Sequence, residues 1–255
     1  MIAPLPLVPP PGCTGPPQYL CQGWTGFSEL LDGIRSRASN GAPWPRSENP
    51  GAYAVEDGIL TMGLGANLST YGVFQTPPDK PSVVRIVAMQ ADGHAGGWGQ
   101  MWALGGPGAP PMPHGDLGEI DINETGMINR TSYSGKFLGS SHPNAYAATT
   151  FRPQGYEGRG TPQYPYGYNA NLDLSKTWQY WDLIYDPGVQ VWTKLANQTM
   201  GHWTPTSAPP GPFPTFPYSL IFSVGRIQQT MSASWHTVGP AIGATMKIAS
   251  IGAWW

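Results

Sequence analysis

Residues 118–124 read Gly-Glu-Ile-Asp-Ile-Asn-Glu, and no other segment of the chain says more about its architecture. Acidic and β-branched apolar residues alternate here, as they do in a strand with one buried and one open face. Glu119 and Asp121 share a face because side chains two residues apart project to the same side of a strand, while Ile120 and Ile122 point the other way. We therefore predict a strand that carries carboxylates on one face and isoleucines on the core face.

Glu124 breaks this alternation. Regular pleating would place Asn123 beside the two acids and turn Glu124 toward the core, where an unpaired carboxylate is costly. One extra residue in the strand, a β-bulge, shifts the alternation by one and returns Glu124 to the face of Glu119 and Asp121. The sequence thus predicts a bulge and three carboxylates on one face.

Three carboxylates in close array repel one another, and the chain offers no adjacent cation in sequence to relieve them. Such repulsion raises at least one carboxyl pKa, so that a proton is shared near neutral pH. Glycoside cleavage with retention needs this arrangement: an ionised nucleophile and a protonated acid roughly 5 to 5.5 Å apart. The same spacing also suits a hard-cation site for Ca²⁺ or a solvated acidic strand, and the spacing alone leaves these three interpretations open.

Short apolar runs separated by glycine and proline continue on both sides of this strand. The chain has 255 residues with 34 glycines and 29 prolines, and 12% of its residues are aromatic. Glycine and proline interrupt helices, whereas aromatic and β-branched residues suit a pleated sheet. The aromatic content also excludes a disordered chain. We predict an all-β protein with strands spaced as in a sandwich or barrel, one short helical pattern at 26–34, and a long functional loop over 140–175.

The charge of the chain limits its partners. Only 11% of the residues are charged, and the formal net charge is −2. Nucleic-acid binding calls for a basic patch, which the sequence lacks, and no run reaches the roughly 18 apolar residues of a membrane helix. We expect a neutral partner and neither nucleic acid nor membrane.

The N-terminal residues differ from the rest of the chain. Residues 1–25 are predicted to form a proline-rich, polyproline-like arm, followed by a single domain over 26–255. The arm is either a solvated tail or a segment that docks on a partner chain. Its first residues lack the basic and apolar regions of a signal peptide. Cys13 and Cys21 lie eight residues apart and either form a local disulfide or remain thiols.

The acidic segment and its flanks resemble glycoside hydrolase family 16. The Glu119-to-Glu124 motif is similar to the E-x-D-x-x-E signature of that family, in the bulged form of its laminarinase and agarase branches. The flanking segments are similar to family strands in the same order. They are Val84–Met89, Gly97–Gly105, Trp178–Asp186, Phe216–Gly225 and Met246–Trp254. Gly99 stands where the family has proline, which marks a divergent member.

The resemblance implies roles for individual residues. Glu119 would be the nucleophile, Glu124 the acid and base, and Asp121 the residue that positions Glu119 and tunes its proton. Trp98 and Trp102 would stack on sugar rings, with packing in the core as the alternative for each. Further candidates for substrate contact, each also readable as an ordinary loop or structural residue, are Arg85, His142 and Trp235.

The resemblance further implies a jelly-roll β-sandwich of the concanavalin A-like lectin and glucanase type. The expected activity is endo-hydrolysis of a β-linked polysaccharide with retention, β-1,3-glucan first and agar-like galactans next, without a cofactor; some relatives carry a structural Ca²⁺. The alternative is a glycan-binding or structural sandwich in a phage particle, with weak or no hydrolysis. The expected location is extracellular, reached by a route without a recognisable signal, or the phage virion.

Overall fold

The computed structural model describes residues 2–22, 53–63, 66–70, 74–92, 97–105, 118–125, 146–152, 166–169, 172–207, 213–226 and 244–255. Strands are the regular elements of these ranges, which confirms the predicted all-β class. Their bounds are β1 (Tyr19–Gln22), β2 (Tyr53–Glu56), β3 (Ile59–Met62), β4 (Asn67–Ser69), β5 (Ser82–Met89), β6 (Gly97–Gly105), β7 (Glu119–Thr125), β8 (Tyr146–Arg152), β9 (Tyr166–Asn169), β10 (Gln179–Asp186), β11 (Gln190–Leu195), β12 (Gln198–Trp203), β13 (Tyr218–Arg226) and β14 (Met246–Trp254). The helical pattern at 26–34 lies outside the described residues. Across the described ranges, no helix is long and apolar enough to cross a membrane.

The strands form two antiparallel sheets. One has the order β12-β11-β10-β5-β14-β3-β2, with β1 also paired to β14. The other has the order β4-β13-β6-β7-β8-β9. Neighbours in space are often distant in sequence, as where β5 lies between β10 and β14. This arrangement places β6 and β7 in the middle of the six-stranded sheet.

Large aromatic side chains fill the space between the sheets. Phe151 on β8 contacts Trp203 on β12, with ring centroids 5.6 Å apart. Tyr185 on β10 meets Tyr218 on β13 edge to face at 5.0 Å. Each of these pairs joins one sheet to the other, and all four side chains have no exposed surface. Aromatic side chains bury large areas, so the aromatic-rich composition serves the core of the sandwich.

The proline-rich arm packs across the outer face of the eight-stranded sheet. The side chains of Trp178 and Tyr180 donate hydrogen bonds to the carbonyls of Ile2 and Pro6, at 3.0 and 2.8 Å. Leu7 packs on an apolar cluster on this face that contains Ile59, Val87, Met89, Trp178 and Ala249. Proline lacks an N–H group, so such an arm offers mainly carbonyl acceptors, and the sheet supplies side-chain donors. The arm thus packs on its own chain, so the expectation of a solvated tail is wrong.

The two cysteines are free thiols in this structure. Cys21 lies on β1 and is buried, whereas Cys13 is half-buried in the arm. Burial raises the pKa of the Cys21 thiol to about 11. Cys21 therefore stays protonated at neutral pH and packs as a small apolar residue.

Residues 140–175 contain strands that the sequence pattern did not reveal. β8 and β9 lie in this segment and form one edge of the six-stranded sheet. β8 has two adjacent alanines followed by two adjacent threonines, so it lacks the apolar–polar alternation on which the sequence prediction relied. Part of the predicted loop is therefore sheet.

Candidate active site

Glu119 and Asp121 lie on one face of β7, as predicted. Ile120 and Ile122 belong to the core between the sheets and have no exposed surface. The two acids project to the opposite, outer face of the six-stranded sheet, where they are only 6% and 5% exposed. Glu119 and Asp121, two residues apart on a central strand, are therefore neighbouring and largely buried carboxylates.

The strand contains the predicted β-bulge. On the β6 side, Trp102 lies opposite Asp121 while the preceding Met101 lies opposite Asn123, so one step along β6 matches two steps along β7. The ladder with β8 shifts over the same residues. One extra residue is therefore inserted between Asp121 and Glu124, as the cost of a buried glutamate had indicated.

The bulge sets the backbone position of Glu124. Glu124 lies opposite Gln100 on β6, and Asp121 lies opposite Trp102. Gln100 and Trp102 are two residues apart on one strand and so occupy the same face. The register therefore places the positions of Asp121 and Glu124 in neighbouring rows of the outer face. The side chain of Glu124 lies outside what the structure describes.

Uncharged polar groups extend this face toward β13. The Ser223 hydroxyl donates a hydrogen bond to Gln100 Oε1 at 2.7 Å. The Gln75 amide donates to the Ser219 hydroxyl at 3.0 Å. Together these pairs continue the outer face with neutral donors and acceptors, the groups that recognise sugar hydroxyls.

The two tryptophans of β6 occupy the same face in the backbone register. Trp102 lies between Asp121 on β7 and Ile221 on β13, and it is half-buried. Trp98 lies opposite Gly225 at one end of β6. The side chain of Trp98 is outside the described residues, and the register places Trp102 opposite Asp121.

Of the two roles that the sequence left open for Arg85, substrate contact or structure, the surroundings of Arg85 support the structural one. Arg85 lies on β5 in the other sheet, and its guanidinium pairs with the Asp182 carboxylate through two bonds of 2.7 Å. It also donates to the Val8 carbonyl at 3.1 Å and to Asn197 Oδ1 at 3.0 Å, and it lies over the Tyr180 ring. Its donors hold the arm and two strands together, away from Glu119 and Asp121.

The remaining predicted residues, His142 and Trp235, lie outside the described residues. Within the described ranges, no group of three or more histidine, cysteine, aspartate or glutamate side chains is arranged to hold a metal ion.

Tyr218, which the sequence analysis did not single out, lies in the core behind the sheet that carries the acids. It lies at the start of β13 and is fully buried. Burial raises the pKa of its phenol well above the ordinary value, and the nearby Tyr185 and Glu119 raise it further. Tyr218 is therefore a neutral hydroxyl within electrostatic reach of Glu119. In the sequence, Tyr218 is recognisable as a residue with a hydroxyl group at a core position of the apolar strand β13.

The two antiparallel sheets, with sheltered carboxylates on the face of the smaller one, define a jelly-roll β-sandwich of the glucanase type. Solved structures share this fold. The laminarinase from Rhodothermus marinus is 14% identical, with a TM-score of 0.67 over 95% of this chain and 98% of that one. A non-specific endo-β-1,3(4)-glucanase of family GH16 is 15% identical, with a TM-score of 0.66 over 99% and 98%.

A structure of an enzyme named for a different polysaccharide also shares this fold. The κ-carrageenase from Pseudoalteromonas carrageenovora is 10% identical, with a TM-score of 0.62 over 98% of both chains. At these identities the similarity establishes the fold alone. No protein-family model matches the chain, and no curated protein is significantly similar to it.

Proposed function

We propose that this protein is an endo-acting hydrolase of a β-linked polysaccharide and that it works with retention at the anomeric carbon. The observation that carries the proposal is the pair of sheltered acids on one face of β7, with a one-residue bulge that sets Glu124 in the next row. The fold shared with laminarinase and endo-β-1,3(4)-glucanase structures supports it.

In the first step, a carboxylate oxygen of Glu119 attacks the anomeric carbon while the glycosidic C–O bond breaks. The protonated carboxyl of Glu124 gives its proton to the leaving oxygen, and a covalent glycosyl-enzyme forms. In the second step, the Glu124 carboxylate takes a proton from water. That water attacks the anomeric carbon and releases Glu119, so both acids return to their starting states.

Asp121 lies between the two glutamates in sequence, and we assign it the positioning of Glu119. Trp102 is assigned a stacking role because its half-buried ring lies opposite Asp121 in the floor of the site. By the resemblance of the sequence, Trp98, His142 and Trp235 would form further subsites.

A neutral substrate fits the site best. Apart from the acids themselves and Arg152, which lies opposite Glu119 on β8, the described polar groups of this face are serine and glutamine pairs, and the chain as a whole carries few cations to hold sulfate groups. β-1,3-Glucan is therefore the first substrate to test, with agar-like galactans after it.

Release of reducing ends from laminarin, mixed-linkage glucan and agarose tests the proposal. Wild type should release sugar from at least one of them, and Glu119→Gln should lose about three orders of magnitude or more in kcat, as expected for loss of a nucleophile. Glu56→Gln is the matched control, because Glu56 is an exposed glutamate on β2. The anomeric configuration of the first product, followed by NMR, tests retention.

A wild type that binds glycan but releases nothing above Glu119→Gln would refute the hydrolase. That result would favour the alternative, a glycan-binding or structural component of a phage particle. The hydrolase proposal carries an extracellular location, and the alternative carries a place in the phage virion.

A further inference from the structure

Three polar side chains lie in the otherwise apolar layer beneath the bulge. They are Asn123 on β7, Thr149 on β8 and Thr193 on β11, and none has any exposed surface. Thr149 comes from the six-stranded sheet and Thr193 from the eight-stranded sheet, and their hydroxyl oxygens are 2.9 Å apart. We call these two residues the threonine pair. Buried hydroxyls in a core require a reason, because each must find a partner there.

The direction of the hydrogen bonds in the threonine pair follows from its third partner. The Thr149 hydroxyl is 2.6 Å from the backbone carbonyl of Asp121. A carbonyl only accepts, so Thr149 uses its one proton on Asp121. Thr193 must then donate its own proton to Thr149 Oγ1. A hydroxyl chain therefore runs from the eight-stranded sheet to the backbone of Asp121.

This chain ends at the place where the strand ladder is disrupted. Asp121 lies opposite Thr150 and Glu124 lies opposite Ala148, so Thr149 faces the extra residue of β7. Backbone groups at a bulge lose regular ladder partners and need others. The Thr149 hydroxyl supplies a donor to the carbonyl at the start of the bulge, and Thr193 fixes that hydroxyl from the opposite sheet.

We propose that Thr149, held by Thr193, is a positioning residue for the reaction assigned above, on which this inference rests. By fixing the bulge, it would set the distance of Glu124 from Glu119. Retaining cleavage needs the two carboxyl groups about 5 to 5.5 Å apart, and a displacement of about 1 Å in an active site can cost about a hundredfold in rate. No charge is added near the acids, since both hydroxyls are neutral.

The test compares Thr149→Val, which keeps the shape and removes the hydroxyl, with Thr149→Ser, which keeps the hydroxyl. On the polysaccharide, Thr149→Val should lower kcat by roughly 10- to 100-fold with KM changed less than about twofold. Thr149→Ser should recover to within about threefold of wild type. Thr61→Val is the matched control, because Thr61 is a half-buried strand residue on β3 of the other sheet.

A second substrate separates positioning of the acid from a general loss of structure. An aryl β-glucoside with a nitrophenol leaving group needs little proton donation in the first step, so formation of the glycosyl-enzyme, which kcat/KM reports, depends weakly on the placement of Glu124. The loss of kcat/KM in Thr149→Val should therefore be at least about tenfold smaller on this substrate than on the polysaccharide. Equal losses on the two substrates, a Thr149→Val kcat equal to that of wild type, or failure of Thr149→Ser to recover would each overturn the inference.

The Thr193→Val variant and amide hydrogen exchange give two independent tests of the positioning role of Thr149. Thr193→Val leaves Thr149 in place without its anchor and should give a smaller loss with the same preference for the aryl substrate. This variant decides the matter if Thr149→Val does not fold. Backbone amides of residues 121–125 should exchange faster in either valine variant than in wild type or Thr61→Val, and unchanged exchange would contradict the inference. A wild type inactive on every substrate refutes the proposed function and this inference together, whereas an active wild type with an unaffected Thr149→Val refutes this inference alone.

Discussion

The ion pair between Arg85 and Asp182 offers the sharpest test of how the arm and the eight-stranded sheet are held. Both side chains are about 2% exposed, and the guanidinium and carboxylate are joined by two 2.7 Å contacts. Removing one partner of a buried pair typically costs about 3 to 5 kcal/mol, because the other charge is left uncompensated. Domains of this kind are stable by about 5 to 15 kcal/mol in total, so the change is large.

The structure predicts an asymmetry between the two single substitutions. Arg85→Met leaves the Asp182 carboxylate without the cation that makes both of its described hydrogen bonds, and it also strips a donor from Val8 and Asn197. Asp182→Asn leaves the cation with the Val8 carbonyl, the Asn197 amide oxygen and the Tyr180 ring. We therefore expect a loss of about 4 kcal/mol for Arg85→Met and about 2 kcal/mol for Asp182→Asn.

Urea unfolding followed by tryptophan fluorescence measures these losses through the transition midpoint and slope. The double variant Arg85→Met with Asp182→Leu should be more stable than Arg85→Met alone, because no unpaired charge remains. A loss below about 1 kcal/mol for Arg85→Met, or a double variant no more stable than that single one, would refute the reasoning. Under conditions where Arg85→Met is folded, its KM for laminarin should equal that of wild type. A raised KM would indicate that Arg85 contacts the substrate.

Three further predictions concern other parts of the molecule. Trp102→Ala should raise KM for laminarin about tenfold, equivalent to about 1.4 kcal/mol, while Trp102→Phe keeps most of the affinity; equal KM values would remove Trp102 from the subsite. Asn123→Leu should raise stability by about 1 kcal/mol in urea, because within the described residues the buried amide has no hydrogen-bond partner; a destabilised variant would contradict this. Burial raises the pKa of Cys21 from 9.0 to about 11, so its contribution to stability is full below pH 9 and is lost as pH rises through 11. Cys21→Ala should flatten the urea midpoint over that pH range more than Cys13→Ala does, and identical profiles would exclude the Cys21 thiol as the cause.

The bulge in β7 could be predicted because its cause is local. Two isoleucines fix the core face, and the cost of turning Glu124 toward them is a property of the segment itself. The all-β class followed from composition and strand spacing for a similar reason, and the choice of a sandwich over a barrel came from the resemblance to a known family. The hydrophobic pattern of each strand lies within the residues of that strand, and short strands between turns limit the architecture to a sandwich or a barrel.

The surroundings of Arg85 could not be predicted, because they depend on a distant segment. β5 is buried at nearly every position, since one face meets the core and the other meets the N-terminal arm. A strand covered on both faces shows no alternation, so the sequence does not say which way Arg85 points. The hydroxyl of Thr149 was missed for a related reason: its partner Thr193 is 44 residues away, in the other sheet.

The ion pair of Arg85 with Asp182 and the threonine pair are both buried, but their surroundings favour different kinds of polar group. Beneath the arm, a bidentate ion pair holds a segment that has few N–H donors of its own, and a fixed, strong contact is all that is needed. Beneath the acids, a cation of the same kind would favour the charged form of any carboxylate within reach and oppose the proton exchange that glycoside cleavage requires. A chain of neutral hydroxyls anchors the bulge from the opposite sheet without that effect. The ion pair therefore secures the arm on the covered face of the eight-stranded sheet, whereas neutral hydroxyls reach the backbone of the bulge between Asp121 and Glu124.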